Sequence, residues 1–304
     1  MDEHTQDLLN KVPGWNNRQA RVTELGGGIT NQNFRVDIDD ESYVLRVCST
    51  STDHLGIRRD HEYACLKIIE ELGIGAEVIH YSPGDGILVV RFVEGKSVSS
   101  EGSREPDKLR RIVEAIKYYH NGPEFPGHFS AFQTARDYHG LAIDKGVTFP
   151  DTIPEVFELT ERMEYSLAEV QKSVPCHNDL LAANFLDDGE KIWILDWEYA
   201  AMGDPFFDLG NFSVSQELND EQAFFLLENY FGEVQAQHVA HLNLMKLASD
   251  LREAFWGFLQ SGISTLDFDY STYADKHLER FLSRASAPAF SSWLDEVAKT
   301  TQNE

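Results

Sequence analysis

Residues 176–211, CHNDLLAANFLDDGEKIWILDWEYAAMGDPFFDLGN, constrain this chain more than any other stretch. Within them, His177, Asp179, Asn184 and Asp196 stand at fixed steps. Asp179 and Asn184 are close enough in sequence for one loop to present a carboxylate and an amide oxygen together. The apolar run Ile192-Trp193-Ile194-Leu195 reads as a short buried strand that delivers Asp196 at its end. Asp and Asn are also ordinary turn and cap residues, because their side chains bond local backbone. That explains any one of these positions. It does not explain a base, an amide and a second carboxylate in this order. The chain must fold so that the loop and the strand end meet at one point.

The order His177, Asp179, Leu180, Asn184 is the H-x-D-L-x-x-x-N spacing of the kinase catalytic loop. In that chemistry Asp179 accepts the proton of the attacking hydroxyl, while Asn184 and Asp196 hold the magnesium that neutralises the transferring phosphate. A glycine-rich run, Gly26-Gly27-Gly28-Ile29-Thr30-Asn31, lies between two expected strands. Without β-carbons its backbone N–H groups can approach phosphate closely. A strand follows it, so it is not a dinucleotide fingerprint, and it lacks the Gly-Lys-Ser/Thr of a Walker A loop. A plain hairpin turn would look the same in isolation. Arg46, on the strand Tyr43–Val47, stands where kinases place a basic residue, with Glu62 on the next helix as its partner. Arginine keeps its charge there even when partly buried. The segment Val90–Val93 reads as a hinge that bonds adenine, with Arg91 and Val93 as contacts, or as a structural link.

The 304 residues suffice for one large domain or two lobes with a sizeable core. Hydrophobic residues make up 42% and aromatics 12%, which suits a soluble globular enzyme. No apolar run reaches membrane-spanning length, and the polar, acidic start lacks the features of a signal peptide. A cytoplasmic protein is the expectation. Cys48, Cys65 and Cys176 are far apart and show no zinc-like spacing, so free thiols in or near a core are expected. The formal net charge of −25 argues against nucleic-acid partners. It is compatible with a small cationic substrate, but a surplus that serves only solubility or a salty environment is the better reading of bulk charge.

Strands are expected at 21–25, 33–38, 42–47, 75–80 and 87–92, and a helix over 58–72 stopped by Gly73. After Gly95 the pattern turns mainly helical. This order predicts an α+β, two-lobed architecture hinged near 92–96.

Taken together, these residues resemble the choline/ethanolamine kinase branch of the aminoglycoside phosphotransferase-like, protein-kinase-like superfamily, from about Leu25 to Phe281. GGGITNQNF is similar to the family's nucleotide loop, VLRV to its Arg-bearing strand, HNDLLAAN to the catalytic loop and ILDWEYA to the metal-binding strand. PFFDLGNF resembles the segment where a buried Asp, here Asp208, braces the catalytic loop. Phe255-Trp256-Gly257-Phe258 resembles the aromatic signature, and FDYSTYADKHLERF the closing helix; aminoglycoside kinases generally lack these two.

The resemblance implies a small N-terminal sheet-plus-helix lobe over 1–95 that binds nucleotide, and a larger, mainly helical catalytic and substrate-binding lobe over 96–304. ATP would lie under Gly26, Gly27 and Gly28, with Thr30 and Asn31 nearby, and magnesium on Asn184 and Asp196. His177 and Asp208 would be structural. Family members hold an amine or quaternary ammonium in an aromatic pocket floored with carboxylates, where each cation–ring contact gains about 0.5–2 kcal/mol. Tyr199, Trp256 and Tyr273 would be its walls here, although aromatic stripes on helices are more often plain core. Glu198 would contact a second metal ion or the cationic substrate, or be a surface charge after a strand. Two departures, Leu259 where a second Trp is usual and Ser215 where an acid is common, with Glu217 nearby, weaken a trimethylammonium cage and leave kinase chemistry untouched. Ethanolamine, a methylated amine or another amino alcohol stays open as acceptor. So do a sister kinase acting on thiamine, an aminoglycoside, a sugar or an amino acid hydroxyl, and a non-catalytic ATP-binding scaffold.

Overall fold

Glycines and acidic turns cut the first ninety residues into short extended runs, which pair into one antiparallel sheet. The computed structural model describes residues 3–16, 18–26, 31–48 and 55–299. The elements run α1 (Glu3–Asn10), β1 (Ala20–Leu25), β2 (Asn31–Ile38), β3 (Glu41–Cys48), α2 (Arg59–Leu72), β4 (Val78–Ser82), β5 (Ile87–Arg91), β6 (Lys96–Ser97), α3 (Ser100–Ser103) and α4 (Pro106–His120). They continue with α5 (Ala131–Asp144), α6 (Ile153–Leu167), β7 (Val174–Cys176), β8 (Phe185–Asp187), β9 (Ile192–Ile194) and β10 (Ala201–Gly203). Five helices close the chain: α7 (Pro205–Ser215), α8 (Asp220–Phe231), α9 (Ala236–Ile263), α10 (Tyr270–Ala285) and α11 (Ala289–Ala298).

The large sheet has the order β1-β2-β3-β5-β4, with β6-β8-β9 and β7-β10 as two small sheets beside the catalytic loop. Successive side chains on a strand point to opposite faces. Tyr43 and Leu45 of β3, with Ile87 and Val89 of β5, therefore share one face, which is covered by Leu8, Leu9, Val12 and Trp15. Val44, Arg46, Leu88 and Val90 take the other face and border a cleft toward the large lobe.

Helix α2 stops where Gly73 adopts the left-handed conformation, φ 71°, and its N–H bonds the Glu70 carbonyl. It starts one residue later than expected, because Arg58 is extended. The strand expected at 75–80 begins only at Val78, since the N–H groups of Ile74 and Gly75 still bond the Ile69 carbonyl at the end of α2. Cys65, Leu66 and Ile69 of α2 belong to the same buried cluster as Ile194 and Trp197 of the large lobe. Helix α2 thus joins the core of the large lobe, while the outer face of the sheet has a core of its own. All three cysteines are free and buried.

Helix α9 is buried on every side from Leu244 to Gln260, as befits a helix in the centre of a lobe. Helix α7 crosses it at Gly210, where an added Cβ would lie 2.7 Å from the Met245 carbonyl carbon and 2.9 Å from the Lys246 nitrogen. Both neighbours are backbone, so neither can rotate away. Gly210→Ala is expected to destabilise the protein by about 1–3 kcal/mol, seen as a lower urea midpoint; an unchanged midpoint would mean the two helices part freely. Among the described residues no helix is long and apolar enough to cross a membrane.

Candidate active site

The catalytic loop has little regular structure of its own and is shaped by side chains from elsewhere. Asp208, fully buried near the start of α7, receives the backbone N–H of His177 at 2.8 Å and of Asn178 at 2.7 Å, one on each carboxylate oxygen. Tyr119 Oη donates to it at 2.6 Å and His120 Nε2 lies at 3.0 Å. Burial alone would raise the Asp208 pKa; the hydrogen bonds and charge around it, led by His120, outweigh that and hold it below the ordinary range. Asn178 takes φ 65°, which Asn tolerates better than most residues, and its side chain donates to the Tyr199 carbonyl at 3.0 Å.

His177 bridges the loop to the metal-side strand. Its Nε2 lies 2.8 Å from the Leu195 carbonyl and its Nδ1 accepts the Asp179 N–H at 3.2 Å, which places the ring proton on Nε2. Asn184 donates its Nδ2 to the Asp179 carbonyl at 2.9 Å, so its amide oxygen is the atom left for a cation. Two further supports lay beyond sequence reading: Asn211 Oδ1 accepts the Leu180 N–H at 2.6 Å, and Gln216 Nε2 donates to the Leu180 carbonyl at 3.2 Å.

The cleft between sheet and large lobe has a volume of about 460 Å³ and is bordered by Gly26, Arg46, Val93, Asn184 and Asp196. Arg46 donates from Nη1 to Glu62 at 2.8 Å, while its Nη2 lies 3.1 Å from Asp196. Burial opposes the Arg46 charge, but Asp196, Glu62 and Glu198 more than compensate and keep it protonated. Asp196 sits at φ 64°, so the residue that ends the strand region is also its sharp turn. Oxygens of Glu62, Asp196 and Glu198 lie within 4.8 Å of one another. Burial, then the charge of Asp196, pushes Glu198 up to about 7. With the Asn184 amide, this all-oxygen donor set fits a hard cation such as magnesium.

Asn31 donates to Glu198 at 3.1 Å, and Arg59 reaches Glu62 at 2.6 Å, Glu198 at 3.1 Å and the Asn31 oxygen at 3.1 Å. Arg59 escaped sequence reading, although its i,i+3 spacing to Glu62 was a usable signal. Gly27, Gly28 and Thr30 lie outside the described residues.

Arg91 lines the cleft together with Phe92 and Val93, while its side chain points elsewhere. Strand alternation sends its side chain to the outer face with Tyr43, where it bonds Glu41 and Glu77, each at 2.8 Å. Its N–H already bonds the Glu77 carbonyl, and that of Phe92 the Ser42 carbonyl. Arg91 and Val93, the two expected hinge contacts, both border the cleft.

Where α9 meets the loop, Arg252 lies 2.9 Å from Asp179 Oδ1. Burial raises the Asp179 pKa, Arg252 pulls it back, Glu253 pushes it up again, and the result lies above the ordinary range. Tyr273 Oη donates to Glu253 at 2.7 Å, and the Trp256 and Tyr273 rings lie edge to face, 5.7 Å apart. The third expected wall, Tyr199, instead has the Arg252 guanidinium 5.3 Å above its ring, so the protein's own cation takes that face. Arg252 and Glu253 were missed in the sequence; the adjacent charges just before the apolar stretch 254–259 were the available sign.

Residues 21–238 match the family model described as "Phosphotransferase enzyme family". A solved structure of a choline/ethanolamine kinase family protein from Mesorhizobium loti has a TM-score of 0.85 and 30% identity, covering 97% of this chain and 98% of that one. The chain belongs to the phosphotransferase enzyme family, in its choline/ethanolamine kinase branch. This phosphotransferase is also 27% identical over 268 residues to Protein LicA of Haemophilus influenzae, across 83% of this chain and 76% of the relative. It is 25% identical over 311 residues to a probable ethanolamine kinase of Arabidopsis thaliana, across 89% and 81%. The two-lobed, kinase-like α+β fold expected from sequence is the fold observed.

Proposed function

We propose that this phosphotransferase moves the terminal phosphoryl group of ATP onto the hydroxyl of a small amino alcohol of the choline or ethanolamine type. One observation carries the reading: Asp179 is tied through His177 to the Leu195 carbonyl, next to Asp196, and through Arg252 to Glu253, which Tyr273 and Trp256 adjoin. A base placed there can serve a hydroxyl whose amine is held by a carboxylate and two rings.

In this reading residues 1–95 bind the nucleotide and 96–304 hold the catalytic and acceptor groups, in a cytoplasmic setting. Val93 borders the adenine site, Gly26 the phosphates, and Arg46, oriented by Glu62, meets phosphate oxygens. Asn184 and Asp196 would hold magnesium, whose charge would shield the phosphates. Asp179 aligns the acceptor hydroxyl and takes its proton as the bond to phosphorus forms. Positioning and charge neutralisation supply most of the acceleration. Leu259 is fully buried, so no second Trp completes a cage, and Tyr199 faces Arg252. This arrangement favours the less substituted amines.

The test is ADP release from ATP with magnesium, across choline, ethanolamine, methylated ethanolamines, thiamine, an aminoglycoside and simple sugars. Turnover confined to amino alcohols is expected; turnover on a sugar or aminoglycoside alone would overturn the acceptor assignment. Trp256→Ala should raise the acceptor KM about 10-fold, the loss of one cation–ring contact, with the ATP KM unchanged. Equal effects on both KM values would remove Trp256 from the acceptor site.

A further inference from the structure

Arg252 stands where the catalytic loop, helix α9 and the acceptor group meet. It is only 3% exposed, and its planar head is engaged on several sides. Nη2 donates to Asp179 Oδ1 at 2.9 Å and to the Asn178 carbonyl at 2.7 Å. Nη1 lies 3.2 Å from Glu253 Oε1, and the Tyr199 ring lies beneath. Nothing in the packing of a central helix calls for adjacent buried charges. An apolar pair would fill the same space with no desolvation penalty.

Two atoms in this group are left incomplete. Among the described residues, Glu253 Oε1 is buried with no hydrogen bond, set against the Arg252 charge, and Arg252 Nε is buried without a hydrogen-bond partner. Buried acceptors are nearly always satisfied in a finished structure. An ammonium N–H would complete Glu253. Asp179, likewise, has Oδ1 committed to Arg252, which leaves Oδ2 for the acceptor hydroxyl.

We propose that Arg252 is a positioning and specificity-determining residue: its rigid fork holds Asp179 and Glu253 at a fixed separation, one carboxylate for the acceptor's hydroxyl and the other for its ammonium. This rests on the amino-alcohol reading given above. The separation acts as a ruler for the carbons between oxygen and nitrogen. A flexible Lys has a point charge and no fork, so it cannot set that spacing.

The experiment compares steady-state kinetics of the full-length wild type, Arg252→Lys, Arg252→Gln and Glu253→Gln. Acceptors are ethanolamine and the aminopropanol with one carbon more. Thermal unfolding with and without ATP reports folding and nucleotide binding for each variant. Arg252→Gln should lower kcat about 100-fold, the effect of a misplaced catalytic group, with the ATP KM within about threefold. Arg252→Lys should recover less than about a tenth of wild-type kcat. In both, the preference between the two acceptors should fall toward one. Glu253→Gln should act mainly on the acceptor KM.

Full kcat and unchanged acceptor preference in Arg252→Lys would overturn the proposal, as would a loss in Arg252→Gln confined to stability or ATP binding. If Arg252→Gln does not fold, Arg252→Lys, which keeps the charge, carries the decision. Wild-type turnover on a sugar alone would remove the ammonium role of Glu253 and with it the ruler. That outcome fails the amino-alcohol reading as well. Wild-type turnover on amino alcohols with an indifferent Arg252→Lys fails the ruler alone.

Discussion

Asp179→Asn is expected to lower turnover by about 10³-fold while the protein folds and binds nucleotide as the wild type does. The amide keeps the shape of the carboxylate and can still accept from Arg252, which also retains the Asn178 carbonyl and Glu253. The backbone bonds of residue 179, from its N–H to His177 and from Asn184 to its carbonyl, do not depend on the side chain. Only proton acceptance is removed. Initial rates of ADP release, set beside the ATP-induced shift in melting temperature, separate the two properties. Turnover within threefold of wild type would end the role of Asp179 as base.

Asp208→Asn is expected to damage stability and activity together, by roughly 3–5 kcal/mol and a melting point lower by roughly 5–10 °C. Donors approach both oxygens: the Asn178 N–H on one, and His177, Tyr119 and His120 on the other. Whichever way the new amide turns, its NH₂ faces a donor. The pH dependence has a definite sign. The folded pKa of Asp208 lies below its unfolded value, so its contribution is complete above about pH 4 and is lost as pH falls through the folded pKa. The stability gap between wild type and variant should therefore be constant down to about pH 4 and close below it. A gap that widened in acid, or a fully stable but inactive variant, would contradict the bracing role.

What was legible in the sequence is what chemistry ties to local spacing. The steps from His177 to Asn184 and on to Asp196 lie within one loop and one strand, and Arg46 and Glu62 sit on consecutive elements. The stop of α2 was readable because Gly73 takes a conformation other residues avoid. What escaped came through tertiary contact. Asn211, Gln216, Arg59 and Arg252 act on loops distant in the chain, and no local pattern names their partners. Arg91 lines the cleft, but strand alternation sends its side chain to the outer face, where its partners Glu41 and Glu77 were not readable from the sequence. The contact between the Tyr199 ring and the Arg252 guanidinium likewise joins residues that no local pattern pairs.

On the ribosome the catalytic loop emerges before Asp208, Asn211 and Arg252, which shape it. Until α7 and α9 have docked, the loop lacks the side chains that hold its backbone and Asp179. A nascent chain halted before α9, or one cut there by a protease, would carry the whole motif from His177 to Asn211 and lack the Arg252 contact to Asp179. The loop therefore takes its shape late in synthesis, well after its own residues have been made.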